Sequence, residues 1–259
     1  MNMMKTTKLA LLAIASAALL TPAARATTIS STYGDLIVGF YTDTAPGQSV
    51  NLMVDLGAIT QFTNGTSFAI SRLVVQDLVD VYGSTWYNRS DLTFGAVGTA
   101  NGTTGTLGFP KNTLWVTQPS GATYTPGTSS AQGLARAAID PMYTYMTGKE
   151  STTNSAYAYA ASNTDTGSWT VQDAKTAGLS FSYFSPSISS AANPGASGEV
   201  SLQLMQLRYG QAQATQLGTL KLTASGMSFE AVPEPTSSAL VALGIGMVAM
   251  FRRKKAVKA

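Results

Sequence analysis

Leu217-Gly218-Thr219-Leu220-Lys221-Leu222-Thr223 and Met227-Ser228-Phe229-Glu230-Ala231, joined by Ala224-Ser225-Gly226, form the stretch from which the fold is read. Apolar and polar residues alternate on both sides of a short turn with a glycine. That is the signature of a β-hairpin with one buried face. Just upstream, Glu199 to Tyr209 alternates in the same way through Val200, Leu202, Leu204 and Leu207. Leu179 to Phe184, where aromatics alternate with serines, is a further expected strand.

The first third repeats the theme. Leu36, Val38 and Phe40 share one face of Asp35 to Thr42, although the alternation is weak. Ala45-Pro46-Gly47-Gln48 supplies turn chemistry, and Val50, Leu52 and Val54 alternate again. Leu73, Val74, Leu78, Val79 and Tyr82 form a helical stripe that Ser71 is placed to cap and Gly83 to end. Asp77 and Asp80 lie on the other side of that helix, where solvation is their expected role. Leu92 to Val97 and Leu114 to Thr117 read as strands. Ser130 to Met146 has helical composition, with Pro141 expected to kink or split it. Ser151 to Thr166, polar and small, reads as a surface loop or a weak helix around Tyr157 to Ala160. The sum is a mainly β fold with one or two helices, α+β being the alternative, arranged as an antiparallel sandwich or a half-open barrel.

Composition narrows the chemistry. The chain has 259 residues, of which only 11% are charged, with 27 Ser, 34 Thr, no His and no Cys. Cys/His zinc sites, Ser-His-Asp triads, cysteine nucleophiles and disulfide frameworks are therefore excluded. No Asp-x-Asp-x-Asp-Gly loop is present, and neither a metal nor a cofactor is expected. The acids mostly stand alone, whereas a glycosidase needs two carboxylates flanking one bond. Flat rings among hydroxyl and amide side chains suit a sugar better, and Trp86 and Tyr87 are the candidate glycan contacts.

The two ends read differently from the body. Lys5 and Lys8 precede an apolar run from Leu9 to Leu20, and Thr21-Pro22 then breaks it. Ala24 and Ala26 put small residues where a signal peptidase cuts. Residues 1–26 are thus an expected signal peptide and 27–231 the exported β-rich domain. At the far end Pro233-Glu234-Pro235 leads into an uncharged segment, 236–251, expected to be a membrane helix. Arg252-Arg253-Lys254-Lys255 should stay on the cytoplasmic side. Residues 27–235 hold 8 basic against 13 acidic groups, a net of −5, which argues against a nucleic-acid partner.

The proline triplet, apolar segment and basic end, residues 232–259, resemble the PEP-CTERM sorting signal. That resemblance implies a Gram-negative envelope, an exosortase that recognises the tail and cleaves near the triplet, and an association with exopolysaccharide and biofilm. The body resembles a group of secreted PEP-CTERM proteins through Gly34-Asp35-Leu36-Ile37-Val38-Gly39-Phe40, Val54-Asp55-Leu56-Gly57, Tyr82 to Tyr87 and Leu217 to Leu220. This implies an architecture and no mechanism.

The expected protein is a non-enzymatic surface or matrix protein. Its expected partners are signal peptidase and the secretion machinery, exosortase, the inner membrane in transit, and exopolysaccharide. A secreted carboxylate-dependent polysaccharide hydrolase and an uncleaved membrane-anchored domain are the alternatives.

Overall fold

The structure is a computed structural model that describes residues 27–174, 184 and 188–232. The expected signal segment, nearly all of the expected strand at 179–184, and the tail from Pro233 onward lie outside the described residues. The described elements are β1 (Asp35–Tyr41), β2 (Val50–Ala58), β3 (Phe68–Ile70), α1 (Val75–Tyr82), β4 (Thr93–Thr99), β5 (Leu114–Pro119) and α2 (Ser129–Met146). They continue with β6 (Ala158–Ser162), α3 (Trp169–Ala174), β7 (Ser190–Ala191), β8 (Glu199–Leu207), β9 (Thr215–Thr223) and β10 (Gly226–Ala231).

All strands join one ten-stranded antiparallel sheet in the order β3-β10-β9-β8-β5-β4-β1-β2-β6, with β7 also pairing β4. Nearly the whole width of the sheet separates β2 from β3 in that order, yet residues 59–67 suffice to connect them. The sheet must therefore curl until its two flanks approach. Buried side chains say the same, since Leu36, Val38 and Leu52 share one cluster with Leu202, Leu220 and Phe229. Of the two expected arrangements the half-barrel is formed. A sandwich would need two sheets.

The curled inner face is filled by this cluster, and α1 closes it through Tyr82. The buried Tyr82 hydroxyl donates to the Phe40 carbonyl at 2.6 Å and accepts from the Leu52 amide at 3.0 Å, tying α1 to β1 and β2. Outside, α2 and α3 cover a second cluster that includes Ile37, Met53, Val97, Val116, Ile139, Met142 and Trp169. Strands β1 and β2 are thus buried on both faces, which explains why the alternation in β1 is weak.

Close approach of the outer layer depends on two glycines. Gly39 and Gly95 are direct partners across β1 and β4, and the Trp169 ring lies against both. A Cβ on Gly39 would stand 2.1 Å from that ring, and one on Gly95 would stand 3.1 Å from it. Only a pair without side chains leaves room for the indole.

Several expectations are corrected. The first helix starts at Val75 with no side-chain cap, instead of being capped by Ser71. Arg72 is held elsewhere: its guanidinium bonds Asp55 at 3.1 Å, and its carbonyl accepts from the Ser155 hydroxyl at 2.6 Å. Gly83 does end the helix, at φ +91° and ψ 161°, a region open essentially to glycine alone. Asp77 is buried, not solvated. Its carboxylate accepts from the Asn154 and Ser155 amides at 2.6 and 3.1 Å, and Asn154 also reaches Asp80 at 2.8 Å. The pair of acids therefore fastens the 151–157 segment to α1. That segment leads into strand β6 on the edge of β2, where only a loop or weak helix was expected. Helix α2 runs unbroken through Pro141, with Thr128 as its cap.

Asp55 is the costliest charge in the core. It is 1% exposed in an apolar strand, and burial, helped by the Asp35 charge, raises its pKa to about 6. The Gly57 amide at 2.6 Å and Arg72 oppose that shift without cancelling it.

Two predictions follow from this packing. Gly39→Ala should lose about 1–3 kcal/mol in chemical denaturation, the usual cost of overpacking, and an unchanged midpoint would show that Trp169 is not held against the pair. For Asp55 the folded pKa lies above the unfolded value. Its contribution to stability is therefore complete below about pH 4 and lost as pH rises through about 6. Unfolding midpoints should accordingly fall between pH 4.5 and 7.5, by on the order of 3 kcal/mol at most. Asp55→Asn should flatten that slope.

Candidate functional site

The described chain ends where its last strand ends, and the geometry there is tightly fixed. β10 is flanked by β9 and β3, so it is an interior strand. Phe229 packs edge-on to Phe62 with ring centres 5.1 Å apart. Across the ladder Lys221 lies 2.6 Å from Glu230 and 3.5 Å from Glu199. The hydrogen bond that Lys221 donates to Glu230, with the charges of both acids, holds the lysine above its ordinary pKa. Gly218 faces Ala231, and a Cβ there would stand 2.4 Å from both the Glu230 carbonyl and the Phe229 ring.

Two further bonds pin the end of the strand. The Ala231 amide donates to the Ser67 hydroxyl at 3.0 Å, and the Val232 amide to the Leu217 carbonyl at 3.2 Å. The next residue is Pro233, which has no N–H to continue a ladder. The Pro-Glu-Pro triplet therefore adjoins the folded body with no spacer.

The expected site residues fall into two groups. Ala24 and Ala26, Pro233, Glu234 and Pro235, and Arg252, Arg253, Lys254 and Lys255 lie outside the described residues. Trp86 and Tyr87 are described, and the structure separates them. Trp86 is 0% exposed within the inner cluster, so its ring offers no face to a sugar, and this half of the glycan expectation is corrected. An apolar ring packed in the inner cluster lowers its free energy more by burial than by exposure. Tyr87 meets Trp86 edge-on at 6.0 Å and stays half-buried. Trp115 and Trp169 are likewise fully buried.

Aromatic and polar groups do come together elsewhere. Tyr145 in the last turn of α2 packs edge-on to Tyr159 of β6, with ring centres 5.7 Å apart. The Tyr145 hydroxyl donates to Asp165, which also accepts from the Ser162 amide at 2.9 Å. Burial and these neighbours push the Tyr145 pKa well up, so its hydroxyl keeps its proton. Lys149 Nζ stands 4.8 Å from the Tyr145 ring and 5.9 Å from Tyr159. Beside them opens a surface pocket of about 490 Å³ lined by Asp140, Thr144, Tyr145, Thr147, Lys149 and Thr166. An aromatic edge, hydroxyls, a cation and a carboxylate around one hollow suit a small polyhydroxylated ligand.

Its members are scattered over a helix, a strand and two turns, so no spacing in the sequence announces the cluster. Recurrent tyrosines at 143, 145, 157 and 159 are its only signal. Among the described residues no group of three or more acids is placed to hold a metal ion, and no helix is long and apolar enough to cross a membrane.

Comparison with known families finds the PEP-CTERM protein-sorting motif at residues 231–255. No curated protein and no solved structure matches the chain. The chain carries a PEP-CTERM protein-sorting motif that begins on the last residue of β10, and this motif marks an exported protein with a membrane-anchored precursor and an exosortase as its processing partner.

Proposed function

We propose that the mature protein is a non-enzymatic component of an exopolysaccharide-rich cell surface or matrix. In this reading it is exported behind the signal at 1–26 and held by the apolar segment at 236–251. An exosortase then cuts near Pro233-Glu234-Pro235 and releases or transfers the 27–231 domain. The observation that carries this reading is the direct junction of the sorting motif with strand β10. The last strand of the described sheet ends just before the recognition triplet, so cleavage there removes the tail without unravelling the sheet.

The non-enzymatic part draws support from how the acids are used. Asp91 accepts from Arg89, Thr42 and Thr44, which holds it well below the usual carboxylate range. Asp140 pairs with Arg136, Asp173 accepts from Tyr41 at 3.3 Å, and Asp77 and Asp80 fasten Asn154. These carboxylates serve as anchors for loops and helices, which speaks against their use as the pair that a hydrolase needs to flank a glycosidic bond. Within the proposal, polymer contact falls to the hollow beside Tyr145 and Lys149.

The intact mass of protein recovered from the cell surface and medium should lack residues 1–26 and everything beyond the Pro233–Pro235 region. Replacing all three triplet residues with Ala should restore the tail mass and move the protein to the membrane fraction. A natural product that retains 239–259 would instead mark a permanently anchored domain. On the native exopolysaccharide, Tyr145→Ala should reduce retention of the mature protein by about tenfold, the loss expected of one aromatic contact worth ~1.4 kcal/mol. Absence of retention for the unaltered protein would remove the matrix assignment.

A further inference from the structure

The strand registers place one set of loops around the departing tail. Thr99 at the end of β4 pairs with Leu114 at the start of β5, and Leu114 pairs with Leu207 at the end of β8. Gln206 pairs with Thr215 at the start of β9, and Gly218 with Ala231 at the end of β10. The loops 100–113 and 208–214 therefore project from the same end of the half-barrel as Val232.

This end combines two unusual properties. Leu107 is 53% exposed, Tyr209 37% and Val232 39%, three of the five large apolar side chains most exposed among the described residues. Leu107 is moreover held at φ +53°, a conformation non-glycine residues rarely adopt. The two loops carry Lys111 and Arg208 and no acid. Arg208 lies over the Phe109 ring at 5.2 Å, which joins the loops into one surface. Of the described carboxylates bordering this end, Asp35 accepts from the Thr32 amide at 2.8 Å, Asp140 pairs with Arg136, and Glu230 with Lys221. At the opposite end of the strands stand Asp43, Asp91, Asp165 and Glu199, with Arg89 beside Asp91.

We infer that the Leu107–Lys111–Arg208–Tyr209 end of the body is a docking surface for an anionic lipid bilayer, used while the protein is still anchored. It rests on the membrane-anchored precursor read from the sorting motif. Only Pro233, Glu234 and Pro235 separate Val232 from Thr236, the first residue of the uncharged segment expected to cross the membrane. Three extended residues span at most about 11 Å, so an anchored body must bring one of its surfaces to the bilayer, and it is this one. Exposed Leu and Tyr enter the headgroup layer, Lys111 and Arg208 meet lipid phosphates, and the acidic end points away. Docking holds the triplet at the membrane surface, where a membrane-embedded peptidase acts.

The chain has no cysteine, so single Leu107→Cys, Tyr209→Cys and Ser225→Cys variants each carry one fluorophore. Ser225 lies in the β9–β10 turn, at the far end. The precursor, purified from cells without exosortase activity, is reconstituted in vesicles of 3:1 phosphatidylethanolamine to phosphatidylglycerol containing a headgroup-nitroxide lipid. Quenching at positions 107 and 209 should exceed that at 225 by at least about threefold. Lys111→Glu, or omission of phosphatidylglycerol, should reduce the difference. A precursor that floats with the vesicles but is quenched equally at all three positions, or more strongly at 225, overturns the docking surface and leaves the anchored precursor standing. A precursor that does not float overturns both.

Discussion

Burial of β1, β2 and β4 on both faces is the constraint to which the rest of the molecule conforms. A sheet covered on one side needs only alternation. Here the curled inner face and the helical outer layer both demand apolar side chains, and where the outer layer comes closest they demand none at all. Gly39 and Gly95 form a flat patch on which the Trp169 indole rests, and α3 is positioned through that ring. A buried tryptophan of this kind is commonly worth about 3–5 kcal/mol when truncated to Ala. Inside the curl, Tyr82 does the corresponding work for α1, with its hydroxyl satisfying one backbone group each of β1 and β2. Both helices are attached by aromatic side chains that reach strands far away in sequence.

Sparse charge fits the same economy. With so few ionisable groups, most of those described act on a defined neighbour. Arg89 reaches the Pro46 carbonyl, Thr42, Thr44 and Asp91, and so shapes the 42–48 turn. Asp77 and Asp80 hold the segment that delivers β6 to the sheet edge. Asp55 is the exception, because its burial costs more than its partners return near neutral pH. The two loops beside Val232 carry Lys111 and Arg208 without an acid, while Asp43, Asp91, Asp165 and Glu199 stand at the other end of the strands.

Much of the fold was legible because period-two patterns are local. The β8, β9 and β10 strands appear in the sequence within one or two residues of their structural limits, as does α2. Gly83 was readable as a helix end for a purely conformational reason. The misses share one cause, namely partners distant in sequence. Ser71 looks like a cap, but Arg72 is drawn to Asp55 and Ser155. Ala158–Ser162 looks like a loop because alanine and serine carry little pattern, and the free edge of β2 makes it a strand. Trp86 looks like a sugar platform until the inner cluster closes over it. The Tyr145–Tyr159–Lys149 hollow was invisible for the same reason, since only the sheet brings the end of α2 against β6.

Destination and handling were written in the linear chain: a proline triplet, an uncharged segment and a basic end are recognised in order, and order is a property of sequence. The absence of His and Cys likewise settled which chemistries were closed. Tertiary structure decided the rest. It fixed which faces of β1 are covered, which acids are spent as anchors, and which loops surround the exit of the tail. Those outcomes depend on strand order and register, where residues over a hundred positions apart become neighbours. No local pattern of side chains encodes such distances, because burial and pairing are settled only when the sheet closes.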